Sequence, residues 1–155
     1  MLIHHRKSVL LSLTSTDLPV WSVTKTAATL EQKDCERFNL LLTVPPLPKE
    51  KFAPDPDPKN PRLLWLEISP YRVTMTMQAN ASLNYRHFWE QGVYGISHYW
   101  LNNQQPECDR IYLRNFTRHL TLVGRPLPQL LRVEYELWSE KVQLGTYILN
   151  LEIQE

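Results

Sequence analysis

Glycine is scarce in this chain, with four among 155 residues, and that scarcity closes off a class of sites. Phosphate cradles of the GxGxxG or GxxxxGK[ST] type need clustered glycines, and neither pattern occurs. Cysteine is almost as rare. Cys35 and Cys108 lie far apart, and neither belongs to a CxxC or Cys/His spacing that would hold zinc. Two such residues are expected to be reduced thiols of a cytoplasmic protein. Long apolar runs are missing as well. Nothing approaches the roughly eighteen consecutive apolar residues of a membrane helix, so no span is expected. The opening MLIHHRKSVLLSLTSTDLP is basic and then apolar, but its apolar run breaks at Ser12 and no small-x-small site follows, so no signal peptide is expected. Excess charge of either sign is also absent. A formal charge of +1 predicts no general attraction to nucleic acid or anionic lipid, and nucleic acid is not an expected partner.

Catalytic signatures are missing too. There is no GxSxG elbow, HExxH or HxH, and neither cysteine stands beside an evident base. No catalytic or metal site is assigned, and no cofactor is specified.

What the chain does have is proline, aromatics and alternation. Hydrophobic residues at 43% and charged residues at 21% describe an ordinary globular protein. The length suits a single domain, residues 1–155. Seven of the twelve prolines fall between Pro45 and Pro61, in PPLPKEKFAPDPDPKNP. That density permits neither ladder nor helix, and predicts a long, stiff loop excursion over 45–61 with Phe52 as its aromatic anchor.

Period-two alternation marks strands over residues 7–14, 38–44, 71–77, 117–123, 131–137 and 147–153, β-branched and aromatic content marks one over 20–25, and a nearly continuous apolar run marks one over 62–68. Residues 29–37 read as strand, turn, strand. Residues 111–116 fit neither period.

One stretch reads differently. Asn84 to Asn102, NYRHFWEQGVYGISHYWLN, holds six of the sixteen aromatics. Tyr85, Trp89, Val93, Ile96 and Trp100 step by four, four, three and four, which is the stripe of an amphipathic helix with Asn84 as its N-cap. Gly92 and Gly95 weigh against it, at about 1 kcal/mol each in a helix interior. The expected fold class is therefore α+β and β-rich: an antiparallel sheet, curled toward a barrel in one version, packed on one main aromatic helix.

Three functional readings follow. The first is a non-catalytic accessory protein that binds another protein, through Phe52, Asp55 and Asp57 on the Pro-rich arm and through Arg110, Arg114 and Arg118. The second is a carrier or chaperone for a small apolar ligand, pigment, lipid or cofactor, held in an aromatic-lined cavity beside Tyr85, Trp89, Tyr94, His98 and Trp100. The third is an acid–base enzyme using His87 or His98 with Glu90, which a helix would bring to one side.

Overall fold

The computed structural model describes residues 3–17, 21–44, 62–78, 83–101 and 110–154. These form ten strands: β1 (Ile3–Ser15), β2 (Trp21–Gln32), β3 (Phe38–Val44), β4 (Arg62–Ile68), β5 (Arg72–Gln78), β6 (Leu83–Glu90), β7 (Tyr94–Leu101), β8 (Arg110–Val123), β9 (Leu130–Ser139) and β10 (Val142–Gln154). Each pairs antiparallel with its sequence neighbours, and β1 also pairs with β10, which closes an up-and-down barrel. Closure leaves no free sheet edge.

The α+β class and its aromatic helix are thereby corrected: no helix occurs among the described residues, and the barrel is all-β. The stretch taken for the helix is the β6–β7 hairpin. Tyr85 pairs with Tyr99 and His87 with Ser97 across it. The stripe misled because this hairpin carries bulky residues on both faces. Phe88, Tyr94, Ile96 and Trp100 point outward while Tyr85, Trp89 and Tyr99 point inward, so hydrophobicity alone loses its period of two. Gly92, counted as a cost to a helix, sits at φ +76° in the hairpin turn, where only glycine is unstrained. Gly95 is small for another reason. A Cβ there would collide with the Phe88 carbonyl oxygen of the neighbouring strand β6.

Most of the strand pattern holds. β3 and β4 keep the expected bounds, and residues 33–37 form the turn between β2 and β3. There Asp34 accepts hydrogen bonds from the main-chain N–H groups of Glu36 and Arg37, at 2.9 and 2.8 Å. Residues 111–116, which fitted neither period, belong to β8, and a β-bulge follows them between Thr117 and His119. Before it, Asn115 and Thr117 face inward; after it, Leu120 and Leu122 do, so the period shifts by one residue. The bulge frees an N–H and a C=O from the ladder, and the Gln91 carboxamide takes both. Its Oε1 accepts from Leu120 N at 2.5 Å and its Nε2 donates to the Arg118 carbonyl at 2.9 Å.

The core fills the barrel. Val9, Leu30, Leu40, Leu66, Val73, Trp89, Leu131, Val133 and Leu151 are all fully buried. Antiparallel connectivity puts the joins 32–38, 68–72, 90–94 and 123–130 at one end, called here the turn end. The joins 15–21, 44–62, 78–83, 101–110 and 139–142 gather at the other, the loop end. The expected Pro-rich excursion, 45–61, lies outside the described residues. Among those described, no helix is long and apolar enough to cross a membrane.

Candidate functional site

The interior changes character along the barrel axis. Toward the turn end it is aliphatic and sealed: Leu66, Ile68, Val73, Leu131 and Val133 are at most 2% exposed. Midway it becomes aromatic and polar. His87, Trp89 and Tyr135 meet there, with His87 stacked on Trp89 at 4.9 Å and Trp89 in ring contact with Tyr135 at 4.9 Å. Nearer the loop end, Tyr85, Tyr99 and Tyr147 continue the same ring system. Tyr85 lies 5.1 Å from His87, Tyr99 5.5 Å from His87, and Tyr147 5.6 Å from Tyr135. At this end Leu42, Leu64 and Met77 on β3–β5 stay sealed, but part of the wall does not. Leu11, Leu13, Tyr85, Tyr99 and Tyr147 are only half-buried, and Ile111, which pairs with Tyr99 at the rim, is 57% exposed. Arg62, in step with the inward-facing Leu64 and Leu66, adds a positive charge felt at Tyr85.

The middle layer contains a buried hydrogen-bonded row. Asn115 Nδ2 donates to Ser97 Oγ at 2.9 Å, and Ser97 Oγ lies 2.7 Å from His87 Nδ1. The arrangement that leaves the serine proton paired has Ser97 donating to Nδ1, which puts the ring proton on Nε2. Burial pushes the His87 pKa down from 6.5 to about 3, so the ring is neutral at physiological pH. The phenols respond in the opposite sense. Burial raises the pKa values of Tyr85, Tyr99 and Tyr135, and for Tyr99 and Tyr135 the neighbouring phenols raise them further. They are neutral hydroxyls, able to donate or accept. Three other buried atoms in this layer have no hydrogen-bond partner among the described residues: Trp89 Nε1, Asn115 Oδ1 and Thr117 Oγ1. Such groups are costly to leave unpaired. The layer therefore offers one unused donor, one unused acceptor and one hydroxyl that can act as either.

Strand period splits the residues proposed from sequence. Tyr85 and Trp89 line the interior. Tyr94, His98 and Trp100 lie on the outer face, so the five do not line one cavity. His87 and His98 fall on opposite faces, and Glu90 pairs with Arg72 at 3.2 Å, so the acid–base set is not assembled. Arg110, Arg114 and Arg118 share the outer face of β8, and all three are exposed. Phe52, Asp55 and Asp57 lie outside the described residues. Sequence reasoning missed Ser97, Tyr99, Asn115, Thr117, Tyr135 and Tyr147 as lining. The available signal was the two-residue spacing Tyr85–His87–Trp89 and Ser97–Tyr99, hidden because half of those inward residues are polar.

The barrel has a counterpart among solved structures. The crystal structure of the ywiB protein from Bacillus subtilis matches 97% of this chain and 92% of that one, at a TM-score of 0.55 and 10% sequence identity. At that identity the likeness speaks to the fold alone. No protein-family model matches the sequence, and no curated protein matches it. The site is thus described by its own residues.

The outer face of β6–β8 has its own chemistry. His98 and Tyr112 stack with centroids 4.2 Å apart and planes 4° from parallel. Burial, then Arg110 and Arg86, lowers the His98 pKa, so this face too is built around a neutral ring among cations. Arg114 lies over the Tyr94 ring at 5.2 Å.

Proposed function

We propose that this protein is a non-catalytic carrier or chaperone that takes a small, largely apolar molecule bearing at least one hydrogen-bonding group into the loop end of the barrel. The observation that carries this reading is the asymmetry of the interior. Leu11, Leu13, Tyr85, Tyr99, Tyr147 and Ile111 face inward yet keep solvent access near the loop end, whereas Ile68, Val73 and Leu131 near the turn end are sealed. Ligand sites have this composition: mostly apolar and aromatic walls, with a few polar groups to orient the guest. The unpaired atoms of Trp89, Asn115 and Thr117 lie in the layer beneath the tyrosines and supply that polarity. A carrier of this kind fits the cytoplasm, with Cys35 an exposed free thiol on the β2–β3 turn.

The test is a fluorescence titration with 1-anilinonaphthalene-8-sulfonate, an apolar aromatic anion. Saturable binding at one site is expected, with loss of that binding in Leu13→Trp, which fills the mouth, and no change in Ile96→Glu, which alters only the outer face. Circular dichroism checks that both variants keep the barrel. Equal dye binding by Leu13→Trp and the parent would refute the proposal.

A further inference from the structure

We propose that the outer face of β6–β8 binds single-stranded nucleic acid, with its arginines on the phosphates and its exposed rings under the bases. Three observations carry this. Tyr94 and Tyr112 are 57% and 60% exposed, unusual for large rings on a barrel wall that is already closed. Tyr112 is not a loose surface ring, because its near face is held parallel on His98. It is a fixed platform with one face open to solvent, the arrangement that base stacking requires. Around it lie Arg86, Arg110 and Arg114. Arg86 and Tyr112 flank His98 in one cross-strand row, and Arg110 and Arg114 stand two residues to either side of Tyr112 on β8.

The charge balance on this face differs from that of the whole chain. Three arginines elsewhere are ion-paired: Arg37 with Asp34, Arg72 with Glu90 and Arg118 with Glu136. Arg86, Arg110 and Arg114 have no carboxylate partner among the described residues. Arg86 donates to the Thr76 hydroxyl, and Arg114 donates to the Glu140 carbonyl. A net charge of +1 therefore conceals a segregated cationic strip, and the general argument against nucleic acid does not reach it. Interleaved flat rings distinguish this strip from one that only attracts negative charge. An acidic protein segment would use the arginines and leave the rings idle.

The experiment is fluorescence anisotropy of a labelled deoxythymidine oligonucleotide with the full chain, at several salt concentrations. Binding is expected to weaken with salt at a log–log slope of about −2, the value for three neutralised phosphates on a single strand. Tyr112→Ala should weaken binding at least about fivefold and Tyr112→Phe should restore it, since the stacking surface is kept. Arg110→Ser should reduce the salt slope. Absence of binding at low salt would overturn the proposal. So would equal competition by a poly-glutamate peptide, or a Tyr112→Ala variant that binds as tightly as the parent, because either result reduces the face to a charge patch.

Discussion

The two ends of the barrel interior are built on the same strands and behave differently. On β6, Trp89 is fully buried and Tyr85, four residues earlier, is half-buried. On β10, Leu151 is fully buried and Tyr147 is half-buried. The difference follows from what covers each end and what fills it. Turn-end joins are pinned by hydrogen bonds, as at Ser69–Arg72 and Gln91–Leu120, and aliphatic side chains fill the interior beneath them. Nearer the loop end the interior holds large flat rings, Tyr85, Tyr99 and Tyr147, above a layer of polar groups.

The sharpest way to break this contrast is to truncate a residue in each half. Leu66→Ala, at the sealed end, should destabilise the protein by about 2–5 kcal/mol. Leu13→Ala, at the open end, should cost only about 1 kcal/mol, because its side chain already meets solvent. Urea denaturation measures both, and equal losses would erase the distinction between the ends. Next in size is the response to acid. His87 is held neutral, with its pKa depressed from 6.5 to about 3, so the unfolded chain binds a proton that the folded one refuses. Stability from this residue is complete above about pH 6.5 and falls as pH drops toward 3, by up to about 1.4 kcal/mol per pH unit. His87→Gln should flatten that slope between pH 6.5 and 4, as read from denaturation midpoints. A slope unchanged in the variant would mean that the middle layer is not the acid-sensitive part. The smallest effect is the most diagnostic. Thr117→Val removes a buried hydroxyl with no partner and should stabilise the empty barrel by about 1 kcal/mol. Destabilisation would show that the hydroxyl serves the fold.

Much of this architecture was legible in the residues. Phe38, Leu40 and Leu42 alternate with Asn39, Leu41 and Thr43 because only one face of β3 is buried, and the strand was evident. The continuous run Leu63 to Leu66 was equally clear. Where legibility failed, the cause was local. On β6 and β7 the inward face includes His87, Gly95 and Ser97 while the outward face holds Phe88, Tyr94, Ile96 and Trp100, so polarity no longer reports direction. On β8 the bulge at Thr117–His119 moved the inward set by one residue, which made Phe116 look continuous with Leu120 although it faces out. The candidate sites occupy these same stretches. A strand that puts polar groups inside and rings outside violates the pattern from which strands are read, and both proposed sites depend on that violation.

The most direct test of the account is side-chain methyl and amide NMR of the protein titrated with 1-anilinonaphthalene-8-sulfonate. The account predicts shifts concentrated at Leu11, Leu13, Tyr99, Ile111 and Tyr147, with Leu66, Ile68 and Val73 unmoved. Shifts confined to the outer face of β7 and β8, or spread evenly through the sealed end, would contradict it.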